Sequence, residues 1–520
     1  MKKLSRSQCA VGPFLAAALA MAILPASPAD AQLRDMLRSA TDRLTEDRSE
    51  PQQQVQQAFT PGRQDLSVQG YSESFADVRR IMESGDYLGA KEAYTDRRGS
   101  FSRQFLSAND EFLSNVEQGI MLLDGQSPAG AIDAFDAAEQ NVEEARDGER
   151  GDSVWSRVQR TTGRGLGALA RVAGVRGLGP YSEQDYERVL QLNYLTLSYL
   201  VQGDNRAFNV MRRATTEQAV ARDLFAAQIA DADSRRVEAG APRDPSAQSG
   251  FFGQFDAYSH IATRVPDAYV NPLGDYLTGV IFEIDAVENP NTLTNANTAY
   301  SNALSLRSDS SVLRSAIQAT SGPRAQDGQT VHILMAEGFS PARQLLVYGL
   351  QYADIDTLLE YPMLVPIPSR IDRFEAYAPN GAFLGRFDPI GDIEAIMMRS
   401  QQDRLPLAWA ELIAGAWRTH AQRQAAGDNQ WIRLGVGVVE GMQMPDMRSW
   451  SSLPRRFHVA RLRPAAGTQE IEVRALDEAG NVLFTERARI DPQSRQAVVY
   501  GRATNAALSL STPDQLWIDR

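Results

Sequence analysis

Four histidines are the most versatile chemical groups in this chain, and their spacing does not predict a metal site. They are His260, His332, His420 and His458, and no two are close in sequence. No H-E-x-x-H pair is present, so no short motif brings two imidazoles onto one helix face to bind zinc. We therefore expect no metal ligands and no bound cofactor.

Nucleophile motifs are also incomplete. Residues 338–342 (GFSPA) lack the second glycine of the G-x-S-x-G turn that exposes a catalytic serine. Lysine occurs only at Lys2, Lys3 and Lys91. A phosphate-binding G-x-x-x-x-G-K-[ST] loop and a Ser-x-x-Lys pair are therefore both excluded. From these patterns we predict that the protein is not an enzyme.

Carboxylates keep one catalytic alternative open. The close pairs Asp231/Asp233 and Asp354/Asp356 lack the glycine of a calcium-binding loop and are typical of charged surface. With 65 acidic residues, many pairs are available for glycosidase chemistry, and nothing in the sequence selects one. A hydrolase of a cell-envelope polymer, with dispersed acidic residues, therefore remains the alternative function.

The most distinctive stretch is DMRSW at 446–450. One interpretation is a loop locked by a buried Trp450 and an Arg448–Asp446 pair. The other is a partner-binding site at Asp446, Arg448 and Trp450, because Trp and Arg contribute most of the binding energy at many interfaces.

The N-terminus has the pattern of a secretory signal peptide. Cationic residues open the chain at Lys2, Lys3 and Arg6. A small and apolar run over 11–24 follows, too short to span a membrane. Ala29-Asp30-Ala31 then matches a cleavage site, so residues 1–31 are expected to be removed on export to the periplasm.

Charge and cysteine content narrow the range of partners. The only cysteine, Cys9, precedes the apolar run, so we expect neither a lipid anchor nor a disulfide in the mature chain. No later stretch is apolar enough for a transmembrane segment. The net charge of −12 argues against nucleic acid, whose phosphates attract basic proteins.

Two segments differ in composition from the globular parts. Residues 32–70 combine a short polar helix with a Gln-rich linker. Residues 147–180 form a Gly-rich insertion that contains GRGLGALARVAGVRGLG. Because no strand precedes these glycines, they do not fit a dinucleotide-binding loop. A mobile loop, a glycine-punctuated helix or a partner-docking element remain the alternatives.

Small residues at helix crossings predict TPR-like (tetratricopeptide-like) repeats over 71–321. A small residue, a large one four positions later and another small one three after that recur with irregular spacing, which indicates degenerate repeats with insertions. An ordinary helical bundle is the alternative. The residues expected to pack helix against helix are Ala90, Tyr94, Gly119, Ala131, Phe135, Ala138, Ala207, Met211, Ala214, Gly279, Ala296, Tyr300 and Ala303.

Strand alternation begins after the linker-like residues 321–328 and extends towards residue 520. The strands predicted are 330–335, 456–462, 470–475, 482–490 and 497–500. Asn380-Gly381 predicts a hairpin turn, and a helix over about 392–424 is expected to break near Pro406. Trp409, Ile413 and Trp417 share one face of this helix.

The predicted fold class is α+β. An N-terminal all-α, TPR-like helical solenoid (71–321) is followed by a C-terminal mixed α/β-rich domain (328–520) that ends in a sandwich-like set of strands. Each part is expected to fold on its own, because a solenoid unit needs only its neighbours.

Two motifs resemble a known family. YERVLQLNY at 186–194 and DMRSWSSLP at 446–454 are similar to those of a poorly characterised family of exported bacterial proteins, often lipoproteins, with TPR-like repeats and a C-terminal β-rich domain. DAYVNP at 267–272 and DRLP at 403–406 also resemble its motifs. The resemblance spans roughly residues 70–490, implies the repeat fold and implies no activity. Unlike the lipoprotein members, this chain has no lipidation cysteine.

These observations favour a non-enzymatic periplasmic scaffold or adaptor. In this hypothesis a concave groove of the repeats binds a protein or peptide partner in the cell envelope, and the β-rich end docks elsewhere.

We predict that the mature protein begins at Gln32, because a signal peptidase reads small residues such as Ala29 and Ala31. Intact mass spectrometry of the exported protein measures this directly. A mature species that keeps Cys9 or carries lipid would contradict the prediction.

Overall fold

A computed structural model describes residues 64–105, 111–151, 181, 184–214, 216–217, 244–268, 271–322, 328–352, 355–426 and 445–511. Pro61–Arg520 form one compact unit. The predicted signal peptide, most of the 32–70 segment and most of the Gly-rich insertion lie outside the described residues.

Helices dominate the first part of this unit. They are α1 (Gly70–Glu83), α2 (Tyr87–Phe105), α3 (Glu111–Asp124), α4 (Pro128–Gly151), α5 (Asp185–Gln202), α6 (207–214), α7 (Pro245–Phe252), α8 (Ser259–Ala262), α9 (Pro272–Asp285), α10 (Leu293–Leu306) and α11 (Ser311–Thr320), with α12 (Ile393–Ala426) further on. A 3₁₀ segment, Gly253–Tyr258, joins α7 to α8, and another, Pro290–Thr292, precedes α10. Among the described helices, none is both long and apolar enough to cross a membrane.

Short local signals fix the helix ends. The Glu187 carboxylate accepts a hydrogen bond from the backbone N–H of Gln184 at 2.8 Å, which satisfies a free donor at the start of α5. Gly203 ends the same helix in the left-handed conformation, with φ of 76°. Asn271 caps α9 by accepting from the N–H of Leu273, and Pro272 occupies the first helical position.

Consecutive helices pack against each other, α1 on α2, α3 on α4 and α9 on α10. Glycines allow the closest approaches. A Cβ at Gly119 would lie 2.7 Å from the ring of Phe135, and a Cβ at Gly279 would overlap the ring of Tyr300. Every residue that the sequence placed at a helix crossing is buried. For two of the small-against-large pairs, Gly119 with Phe135 and Gly279 with Tyr300, the contact joins two neighbouring helices.

In the described ranges, twelve strands form three sheets. The strands are β1 (Gln64–Ser67), β2 (Thr330–Glu337), β3 (Ala342–Tyr352), β4 (Ile355–Val365), β5 (Arg373–Tyr377), β6 (Phe383–Arg386), β7 (Asp388–Asp392), β8 (Arg456–Leu462), β9 (Glu470–Leu476), β10 (Val482–Arg489), β11 (Gln496–Ala503) and β12 (Leu508–Leu510). Their orders are β12-β11-β2-β8-β7, β10-β9-β5-β6 and β1-β3-β4. Within the five-stranded sheet, β11 and β2 are parallel. The α+β class and the predicted strands are confirmed.

The five-stranded sheet lies between two hydrophobic cores. Along β2, Val331 and Ile333 point into a core shared with the four-stranded sheet, whereas Leu334 and Ala336 point towards the helices. This separation follows from the two-residue period of a strand. The helical layer (α1–α6 and α9–α11), the five-stranded sheet and the four-stranded sheet are therefore stacked in that order.

A third core lies beside α12. The 11-residue strands β3 and β4 form a hairpin, and its aromatic side chains pack against α7 and the middle of α12. Trp409 and Ile413 are buried there and Trp417 is partly buried, as the helical stripe predicted. The predicted break near Pro406 is wrong, since α12 runs through it. Asp403 pairs with Arg399 one turn earlier instead of capping a new helix.

The change from helices to strands falls between Thr320 and Thr330, close to the predicted linker. The two sides nevertheless share one core, in which helical residues such as Phe135 and Tyr194 pack with Trp450 and Phe457. Because that core contains residues of both the helical and the C-terminal part, we expect that the helical part does not fold alone.

Gly279→Ala should destabilise the protein by about 1–3 kcal/mol, because the added methyl group forces Tyr300 to move in a filled core. Gly415→Ala is the matched control. Gly415 lies within α12 with open space around its Cα, so its replacement should gain about 0.5–1 kcal/mol through helix propensity. Denaturant unfolding measures the free energy of unfolding of both variants. Equal changes in this free energy would contradict the packing of α9 on α10.

Candidate functional site

The segment 446–454, here called the docking segment, lies against the helical layer. Trp450 has no exposed surface. Its ring centroid lies 6.4 Å from that of Phe135 on α4 and 5.8 Å from that of Tyr194 on α5. The indole N–H donates to the Ser452 hydroxyl at 3.1 Å. Trp450 is therefore part of the protein's own core and does not present a surface to a partner.

Glu117 on α3 holds the next two residues of the docking segment. Its carboxylate accepts from the backbone N–H of Ser451 at 2.7 Å and of Ser452 at 2.9 Å. The Tyr71 hydroxyl donates to the same group at 3.0 Å. Burial raises the pKa of Glu117 to about 7, although these hydrogen bonds act in the opposite direction.

Glu187 on α5 lies beside Trp450, the residue that precedes Ser451 in the docking segment. The Tyr181 hydroxyl donates to its two carboxylate oxygens at 2.6 and 2.7 Å. The backbone N–H of Trp450 donates to the same carboxylate over a longer distance, 3.5 Å. Burial raises the pKa of Glu187 to about 7, against the effect of the Tyr181 hydrogen bond. Three successive amide groups thus face two buried carboxylates of the helical layer.

The predicted pair of Asp446 and Arg448 is present and stabilises the segment locally. Asp446 accepts from the backbone N–H of Arg448 at 3.0 Å and from its guanidinium at 2.9 and 2.8 Å. The guanidinium lies over the ring of Tyr181, and Arg343 on β3 donates to the Asp446 carbonyl at 2.8 Å. Arg448 is almost fully buried. The interpretation of a locked loop therefore fits the geometry, whereas partner binding needs accessible side chains.

Asp124 at the end of α3 makes a further contact with the sheet. The Tyr500 hydroxyl donates to it at 2.6 Å, and the Arg502 Nε lies 3.7 Å away. Arg502 is fully buried and donates to the carbonyls of Gly338 and Ser452. Burial raises the pKa of Asp124 to about 6, while the positive charge of Arg502 acts in the opposite direction.

Glu283 on α9 joins the helical layer to β8 through a buried ion pair. Arg461 donates from its Nε at 3.1 Å and also from its terminal Nη2. Despite burial, electrostatic interaction with His332 and the hydrogen-bonded guanidinium of Arg461 hold the pKa of Glu283 below its usual range. Burial lowers the pKa of His332 itself to about 4, so at neutral pH this ring is uncharged.

The remaining histidines, His260, His420 and His458, lie on different elements, α8, α12 and β8. His458 contacts Glu337 at 3.4 Å in the interior, His260 is exposed, and His420 is bonded to Gln424 at 2.8 Å. Despite burial, the His458 hydrogen bond and nearby positive charges lower the pKa of Glu337 to about 2. Within the described ranges, no group of three His, Cys, Asp or Glu residues could hold a metal ion.

Two of the other candidates for chemistry, Ser340 and Asp356, lie in the part of the chain that the structure describes. Ser340 is buried, and its backbone N–H donates to the Leu453 carbonyl. Asp356 is exposed on β4. Asp231, Asp233 and Asp354 lie outside the described residues. A small, mostly apolar cavity between α5 and α12 is lined by Tyr186, Val189, Leu190, Ala268, Asn271 and Ile396.

The sequence did not single out the buried carboxylates. Glu117 and Glu283 sit in otherwise apolar stretches of α3 and α9, and such isolated charges on a core-facing helix surface were the available signal. Their partners are backbone amides and a strand arginine far along the chain, which no local pattern shows.

Fold and site together define an α+β protein in which buried carboxylates fasten a helical layer to a C-terminal sheet and loop. Comparison of the chain with known families, curated proteins and solved structures finds no match.

Trp450→Ala should lower the free energy of unfolding by about 3–5 kcal/mol, because it empties the contact between the docking segment and the helices. Trp417→Ala is the matched control at a partly buried ring and should cost less. Urea unfolding of both variants measures the difference. If Trp450→Ala keeps the stability of the unchanged protein, the docking segment is not part of the core.

Proposed function

We propose that this protein is a non-catalytic scaffold of the bacterial cell envelope, built on degenerate TPR-like repeats, that binds a protein or peptide partner. The observation that supports the repeat architecture is the recurrence of one packing unit. Gly119 lies under Phe135 in the pair α3–α4, and Gly279 lies under Tyr300 in the pair α9–α10. Close approach at a small residue is typical of paired helices in repeat proteins.

The chemistry of the buried carboxylates also favours a scaffold over a hydrolase. Glu117 and Glu187 are bound to backbone amides and tyrosines, and Glu283 is bound to Arg461. All three are inaccessible to a polymer chain. Their role is therefore structural, and no described acidic pair is favoured as a catalytic dyad.

The inner side of the repeats is occupied by the chain itself. The docking segment and the five-stranded sheet pack on α3, α5 and α9, and α5 is buried over nearly its whole length. A partner in the inner groove, as the sequence suggested, would have to displace this core. We therefore infer that the partner binds the solvent-facing side of the helical layer, where Leu88 on α2 is half exposed.

A photo-cross-linking residue at Leu88, in cells that produce the full chain, tests this proposal. We expect one defined cross-linked envelope protein from this position. Phe383 is the matched control. It is also a large, exposed apolar residue, but it lies on β6 of the four-stranded sheet. No cross-link at Leu88, or the same products from both positions, would contradict the proposed surface.

Release of soluble fragments from purified cell-wall polymer by the isolated protein would contradict the non-catalytic role. This assay is independent of the cross-linking result, so the two parts of the proposal fail separately.

A further inference from the structure

Two kinds of buried carboxylate join the helical layer to the C-terminal part. Glu283 faces the Tyr300 hydroxyl and also a bonded guanidinium, that of Arg461, which can only donate hydrogen bonds, so its surroundings fit the ionised form. Glu117, Glu187 and Asp124 each face a tyrosine hydroxyl at 3.0 Å or less. A hydroxyl both donates and accepts, so the same contact fits an ionised and a protonated acid.

The surroundings of Glu117 show how a proton is accommodated. Its amide donors, Ser451 and Ser452, belong to the docking segment, and Tyr71 lies on α1. The Tyr71 hydroxyl is 3.3 Å from that of Tyr94 on α2, and either can be the donor. When Glu117 is protonated, the Tyr71 hydroxyl oxygen can accept a hydrogen bond from the carboxyl group and its O–H can donate to the Tyr94 hydroxyl. The other charged group that faces Glu117 is Arg79 on α1.

Glu187 and Asp124 have comparable surroundings. The ionisable groups that face Glu187 are Tyr181, Tyr186 and Arg343. Those that face Asp124 are Tyr87, Tyr194, Tyr500 and Arg502. The guanidinium of Arg502 lies 3.7 Å from the Asp124 carboxylate, beyond hydrogen-bond distance. In all three cases the contact that closes the interface is a tyrosine or a backbone amide.

We propose that the interface between the helical layer and the docking segment with β11 is a proton-sensitive clasp, which closes with protons on Glu117, Glu187 and Asp124 and loosens when these groups ionise. A buried ionised carboxylate without a bonded cation is costly, and opening the clasp hydrates it. A rise in pH therefore favours the open clasp.

The pH window follows from the direction of the shifts. Burial raises the pKa of Glu117 and Glu187 to about 7 and that of Asp124 to about 6, above their ordinary values. Stability from such groups is complete below the ordinary values and is lost as pH rises through the raised ones. His332, with its lowered pKa, acts in the opposite direction only below its ordinary value of 6.5. Stability should therefore fall most between about pH 5 and 7, where three carboxyl groups outweigh His332, and should level off above the raised pKa values.

Denaturant unfolding of the full chain across this window is the first test. The folding equilibrium constant should fall with rising pH, by up to about tenfold per pH unit for each carboxyl group that ionises. Amide hydrogen exchange of residues 450–452, corrected for the intrinsic pH dependence of exchange, should accelerate over the same range. Constant or rising stability from about pH 5 to 7 would overturn the proposal.

Glu117→Gln identifies the residue responsible. This variant should lose part of the pH dependence, whatever its absolute stability, because its amide does not titrate. Glu283→Gln is the matched control, a buried glutamate at the same interface that is bound to Arg461, and it should keep the full pH dependence. If Glu117→Gln does not fold, Glu187→Gln takes its place. An unchanged pH dependence in the titrating-site variant would refute the assignment.

Discussion

The amide groups of residues 450–452 cross the apolar inner side of the helical layer, where water cannot satisfy them. An unpaired buried amide costs about 1–3 kcal/mol, so the crossing requires acceptors supplied by the helices. Glu117 accepts from two of these amides, and Glu187 lies beside the third. Trp450 can then fill the space between α4 and α5. The packing of the C-terminal part on the helices depends on this arrangement.

This arrangement determines which surfaces remain for function. In an open repeat array the inner helices line a groove, but here the sheet and the docking segment fill it. The five-stranded sheet contributes side chains to two cores, since alternate residues of β2 face the helices and the four-stranded sheet. In our proposal, a partner binds the solvent-facing side of the helical layer, whereas the inner side stabilises the fold and, through its carboxylates, responds to protons.

The sequence predicted the features that local patterns determine. The bounds of strand β8, 456–462, agree with the prediction, in which the strand formers Phe457 and Val459 stand two residues apart, and Asn380-Gly381 specifies the β5–β6 turn. The hairpin β3–β4 was missed, because its long strands lack a simple alternation and β4 contains Pro362. Pro406 did not end α12, since its aromatic packing outweighs one lost backbone hydrogen bond. Long-range contacts such as Glu117 with Ser451 left no local signal.

The central claim is that the helical and β-rich parts form one core, and fragment complementation tests it most directly. Fragments 66–321 and 328–520 are compared, alone and co-expressed, by thermal melts followed with circular dichroism. We expect that 66–321 alone shows no cooperative melting transition, because Phe135 and Tyr194 lose their ring contacts with Trp450 and Phe457. We also expect that co-expression restores the transition. A cooperative transition of 66–321 alone, at the melting temperature of the full chain, would contradict this claim.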